Sequence, residues 1–172
     1  MGILISSSDF VGTYAIATDV YTEADLDLMI TEKEEDLLVD LLGQELYDLF
    51  SDDLVNGVPQ EEIYLKIYNK LRFESNLYCA PNGVIVKSKG MKVMLLSWIF
   101  FYFVRKQPVD NAIGGNLSSK STISDGVNQF MPLINYYNDA IDTYRAIQQY
   151  IIQNKTTYPT FQGVEKQLTT VF

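Results

Sequence analysis

The stretch Val93–Val104, VMLLSWIFFYFV, is apolar except for Ser97 and carries the chain's single tryptophan, Trp98. No polar stripe survives at a spacing of 3.6 residues, so a helix built from Met91–Arg105 has no face to turn toward water. Such a helix must be enclosed by other parts of its chain or by neighbouring chains. The run covers only 12 residues, and a bilayer span needs about 20. The stretch therefore predicts a buried central helix and not a membrane segment. Length agrees: 172 residues can bury a sizeable core as one domain without disulfides or metals.

The residues around this hub predict a mainly α fold, a small helical bundle about residues 91–105. An N-terminal arm over 1–20 reads as extended, with strand-like Ile3-Leu4-Ile5 followed by three serines. Its opening Met-Gly with Ser6 also fits the short myristoylation pattern, and no secretory leader is evident. Thr22–Leu42 predicts the first helix, with Thr22 as N-cap, Asp25 three residues on, and Leu26, Ile30, Leu37 and Leu41 on one line. Lys33 interrupts that line. Gly43 suits the residue after a helix end, and Gln44–Phe50 restarts as a short helix. Asn56-Gly57 signals a turn. Pro59 suits the first position of a third helix over Gln60–Glu74, with Ile63, Ile67 and Leu71 aligned.

Asn76–Gly90 reads as a hairpin or connector around Pro81-Asn82-Gly83 and the β-prone Val84-Ile85-Val86. Its glycines and lysines lack phosphate-loop spacing. Gln107-Pro108 predicts the end of the central helix. A flexible loop over 107–127 follows, rich in glycine and serine through Asn111–Asp125. Asn128–Gln153 then predicts the longest helix, capped by Ser124 or Asp125, with Pro132 near its first turn. Phe130, Ile134, Tyr137, Ile141, Tyr144, Gln148 and Ile151 alternate by four and three, and a second stripe runs through Leu133, Tyr136, Ala140, Ile147 and Tyr150. The apolar face is wider than one partner helix covers. Residues 155–172 read as an extended tail with apolar anchors. Folding is thus assigned to 22–153, and gripping to the two ends and the loop.

Few residues speak of chemistry. The chain has no histidine and one cysteine, Cys79, which removes Ser-His and Cys-His nucleophile pairs, His-rich zinc sites and an internal disulfide. The reading is a non-enzymatic chain with no cofactor or metal. An enzyme working through Glu32 and Asp36 would need a bound metal, and no calcium-loop spacing is present. Charge is divided unevenly. Residues 1–62 hold sixteen of the 22 acidic residues and one basic residue, Lys33, a net of −15, while residues 63–172 carry +6. The first third is a poor ligand for phosphates, and the two parts carry fields of opposite sign. Glu32, Asp36 and Asp40 stand at successive i,i+4 positions, where like charges cost about 0.2–0.5 kcal/mol per pair. They form either a solvated acidic face or a ridge that meets lysine or arginine from another subunit. Tyr136, Tyr150, Tyr158, Phe161 and Phe172 complete the candidate subunit interface, because aromatic side chains bury area while a hydroxyl finds a partner.

The run Leu37–Phe50, LLVDLLGQELYDLF, with its step Leu42-Gly43-Gln44-Glu45-Leu46-Tyr47, resembles the opening of head–tail connector proteins of tailed bacteriophages, notably those infecting Bacteroides-type bacteria. The order of parts is similar over much of the chain: acidic first helix, short second helix, third helix, aromatic central helix, long loop and long tyrosine-rich helix. The tail after Gln153 departs from that pattern. The resemblance implies a homo-oligomeric ring, commonly of twelve copies, in the collar of the virion, assembled in the host cytoplasm. Its partners would be the portal and other connector or tail proteins, with DNA passing through without sequence-specific binding. The alternative is a helical regulatory protein that binds one host partner through its tyrosine-rich helix.

Overall fold

The computed structural model describes residues 2–16, 23–75, 83–113 and 123–166, with backbone alone for 107–113 and 123–132. The chain is mainly helical. Helices α1 (Glu23–Leu42) and α2 (Gln44–Asp52) precede a small hairpin of β1 (Leu54–Val55) and β2 (Val58–Pro59). Helix α3 (Glu62–Tyr68), strands β3 (Leu71–Ser75) and β4 (Val84–Ser88), and helices α4 (Met91–Ile113) and α5 (Ile123–Gln153) complete the order.

Helix α4 packs against α5, α1 and α3. Met91, Met94, Leu95, Trp98, Ile99, Phe101 and Phe103 are all buried, whereas Val93, Leu96, Phe100 and Val104, spaced by three and four along one face, are half-buried, so the run is enclosed on most sides and not on all. Ser97, the polar exception, is buried too, and its hydroxyl pairs at 2.8 Å with that of Tyr14. Helix α5 supplies the widest wall through Ala140, Ile141, Tyr144, Ile147 and Ile151, all buried. Both sequence stripes thus face inward over this half of the helix.

Five local expectations change. The third helix spans only Glu62–Tyr68, because Leu71–Ser75 forms an antiparallel strand with Phe73 opposite Val86 and Ser75 opposite Val84. A helical line through Ile63, Ile67 and Leu71 and a two-residue alternation through Leu71, Phe73 and Ser75 share Leu71. The partner strand, with its ladder of backbone bonds, decides for the second. Pro59 lies in β2 and not at a helix start; the Asp53 carboxylate instead receives the Gln60 and Glu61 N–H groups at 2.7 and 2.8 Å before α3.

The expected loop 107–127 is helical at both ends. Helix α4 continues through Pro108 to Ile113, giving up the one bond that proline's missing N–H denies it. Helix α5 already begins at Ile123, which places Ser124, Asp125 and Pro132 inside it. Residues 114–122, with Thr22 as cap, lie outside the described part. Two turn signals do fold as read: Asn56 and Gly57 both adopt positive φ, 52° and 73°, as a two-residue hairpin turn demands. Gly43 takes φ 83° between α1 and α2.

The arm is also corrected. Residues 3–5 form no strand, and Ser7–Asp9 and Gly12–Tyr14 form 3-10 turns. Leu4, Ile5 and Phe10 are buried in the core. The residue that holds the arm is Glu34, itself only 2% exposed. Its Oε2 accepts the Ile3 N–H at 2.7 Å, and its Oε1 accepts those of Leu4 and Ile5 at 2.8 and 3.2 Å. A Cβ on Gly2 would collide with that carboxylate. Lys92 of α4 meets Asp9 at 3.1 Å, and Tyr136 of α5 donates to the Thr13 carbonyl at 3.2 Å. The arm is therefore a strap across α1, α4 and α5.

Candidate functional site

The C-terminal segment solves a problem that every helix has. The last four carbonyls of a helix lack partners within it, and α1 ends next to buried residues. Here Val39 O accepts the Gly43 N–H at 2.8 Å, Asp40 O the Val164 N–H at 2.6 Å, and Leu42 O the Gln162 N–H at 3.2 Å. Leu41 O accepts Gln148 Nε2 at 3.2 Å, and the same amide nitrogen lies 3.0 Å from Val164 O. The Tyr144 hydroxyl sits between Asp40 O at 2.6 Å and Val164 O at 2.5 Å, donating to either. Burial first, and then the nearby Asp40 carboxylate, push the Tyr144 hydroxyl far above its ordinary pKa. Gly163 is required by contact, since a Cβ there would run into Leu41 O and Gln148 Nε2.

This closure brings Lys166 onto α1. Its ammonium lies 2.5 Å from Asp40 Oδ2, 5.2 Å from the centre of the Trp98 ring and 5.9 Å from that of Tyr144. Arg145 Nε holds the Lys166 carbonyl at 2.8 Å. An open cleft of about 190 Å³ adjoins the ammonium, lined by Lys33, Asp36, Leu37, Asp40, Trp98, Tyr102 and Lys166. Acidic, aromatic and basic side chains converge there.

The candidate interface residues separate into groups. Glu32 is exposed, Asp36 is exposed with Lys33 at 3.9 Å, and Asp40 takes Lys166 of its own chain. Asp40 therefore receives its cation from within the molecule. Tyr136 is half-buried against Tyr14 and Phe100, with ring centres at 5.7 and 4.9 Å. Tyr150 is half-buried edge-on to Phe73 at 5.3 Å. Tyr158 is 1% exposed, with its hydroxyl on Ile63 O at 2.7 Å, so it belongs to the core and not to a surface. Burial pushes its hydroxyl far above the ordinary pKa. Phe161 is half-buried at the edge of the core, and Phe172 lies outside the described residues.

Sequence reasoning did not single out Glu34, Gly163 or Lys166. One signal for Glu34 was available: four residues after Ile30 and four before Leu38, it occupies an inward position that apolar residues otherwise fill. Nothing local marks Gly163 or Lys166, whose partners lie more than a hundred residues away on α1.

Among the described residues, no group of three or more His, Cys, Asp or Glu is placed to hold a metal ion, and no helix is long and apolar enough to cross a membrane. Comparisons with protein families, with curated proteins and with solved structures returned no match.

Proposed function

We propose that the chain is a structural subunit of a tailed-phage virion, a head-to-tail connector that forms a ring between portal and tail. The protomer is then a small helical bundle about α4, and DNA passes through the ring without being read. The resemblance of Leu37–Phe50 and the order of parts introduces this reading. One observation of the fold carries it further: exposed acidic side chains outnumber basic ones on α1 and α2, where Lys33 stands among them, and basic ones outnumber acidic ones on and beside β3 and β4, where Glu74 stands among them. Glu32, Glu35 and Asp36 on α1 and Glu45 and Asp48 on α2 are exposed, whereas Lys70, Arg72 and Lys87 are exposed on and beside the β3–β4 hairpin, which packs on α5. A ring needs two different, complementary surfaces on each copy, and opposite charge steers such surfaces together and fixes their register.

Native mass spectrometry and sedimentation, with imaging of purified particles, test the reading. Replacing Glu32 and Glu35 by lysine, or Arg72 and Lys87 by glutamate, should each weaken assembly, and combining the two sets should restore it. A chain that stays monomeric at every concentration and is absent from particles refutes the proposal. If that monomer captures one host protein and is dispensable for particles, it is a regulatory binding protein instead.

A further inference from the structure

The cleft beside Lys166 has the chemistry of a cation receptor. An ammonium held by a carboxylate and faced by two aromatic rings gains from both kinds of contact, and the gain is largest where water is excluded. Trp98 is 7% exposed, and the Lys166 side chain keeps 22% of its surface. The group that fills the receptor is delivered by a strip of extended backbone, held to α1 at this point by the Val164 N–H on Asp40 O and to α5 by Arg145. Beyond the Lys166 ammonium, the cleft stays open between Lys33, Asp36, Leu37, Trp98 and Tyr102, with Lys33 3.9 Å from the Asp36 carboxylate.

We propose that this pocket receives a basic side chain, guanidinium or ammonium, from a partner protein, and that Lys166 is its occupant in cis. The exposed carboxylates of Glu32 and Asp36 on the same helix draw a basic segment toward the mouth. With the Lys166 ammonium displaced from Asp40 and Trp98, the cleft presents the ring to a planar guanidinium, which stacks on aromatic faces better than an ammonium does. A partner cation that takes Asp40 displaces the Lys166 ammonium, while Arg145 and Asp40 O still hold the backbone at Lys166 and Val164. This inference does not depend on a ring.

Trp98 is the sole tryptophan, so its fluorescence reports on the site directly. The full chain is titrated with N-acetyl-arginine amide, and with the uncharged N-acetyl-citrulline amide as control. Lys166→Met should respond saturably to the arginine probe at a concentration at least about tenfold below that needed by the unmodified chain, as expected when a competing cation is removed. The citrulline probe should give no saturable response, and Asp40→Asn added to Lys166→Met should remove most of the arginine response. Equal responses to arginine and citrulline, or no difference between Lys166→Met and the unmodified chain, overturn the proposal. If Lys166→Met loosens the tail, the Trp98 indole N–H resonance of the unmodified chain decides. A shift with arginine amide that weakens in Asp36→Asn supports the receptor, and an indole that responds alike in both refutes it.

Discussion

Replacing Glu34 tests the strap at the point where it is held. Three backbone N–H groups converge on this carboxylate, and hydrogen bonds to a charged acceptor contribute about 1.5–3 kcal/mol each. Ile3 is partly exposed, so its N–H can return to water; those of Leu4 and Ile5 cannot without opening the core. Glu34→Ala therefore costs about 3 kcal/mol, two buried donors left without partners at roughly the lower value. In a chain of this length each kcal/mol lowers Tm by about 2–4 °C, so the loss is about 6–12 °C if the strap unfolds with the rest. Glu34→Gln keeps an oxygen for Leu4 and Ile5 but turns an NH2 toward the Ile3 N–H, and costs about 1 kcal/mol.

Hydrogen exchange read at the amides of Ile3, Leu4 and Ile5, beside thermal unfolding, checks this order. Unchanged protection and an unchanged Tm in Glu34→Ala would refute the account of the strap. The pH dependence adds a sign. Burial pushes the Glu34 carboxyl above its ordinary value of 4.5, with the three N–H donors opposing. The folded chain thus holds the proton more tightly than the unfolded chain. Relative to Glu34→Gln, the unmodified protein gains stability as pH falls from the raised value toward 4.5, and loses that gain as pH rises again.

Three further outcomes follow from the closure of α1 and the core. Tyr144 and Tyr158 hold their protons in the folded state well beyond the ordinary value of 10.0, so above that pH each should remove about 1.4 kcal/mol of stability per pH unit. Alkaline unfolding curves of Tyr144→Phe and Tyr158→Phe should be correspondingly flatter; slopes equal to the unmodified chain's would contradict the burial. Gly163→Ala forces the tail off Leu41 O and should cost about 1–3 kcal/mol in urea unfolding, with a larger loss for Gly163→Val. Tyr158→Ala should cost about 3–5 kcal/mol even in the monomer, as for other large buried rings. A monomer of undiminished stability would return Tyr158 to the surface.

How far the sequence could be read depended on the range of the interactions involved. Met91–Val104 and the two stripes of α5 were legible because apolar periodicity is local and its burial follows wherever a partner stands. The Asn56-Gly57 turn and the Gly43 break were legible for the same reason, since each expresses the conformational freedom of one or two residues. The β3 strand was not, because Leu71 satisfies both helical and strand spacing, and only pairing with Val84–Ser88 separates them. Tyr158 read as a surface aromatic because nothing nearby in sequence says that Ile63 O awaits its hydroxyl. The acidic ridge of Glu32, Asp36 and Asp40 was read correctly as a row, but the row does not disclose that Lys166 of the same chain comes to its last member.

By itself, the sequence determined that this chain is mainly helical, that its centre is an apolar helix with no polar stripe, and that its charge is split between its first third and the remainder. These properties follow from residue type and spacing, which act over a few positions. Tertiary structure alone decided the fate of both ends. The arm lies down because a buried carboxylate on α1 offers its backbone N–H groups an acceptor. The tail lies down because the final carbonyls of α1 need donors that the helix cannot supply. Each is a demand made by one element and met by another at least 29 residues away, and only folding brings the two together.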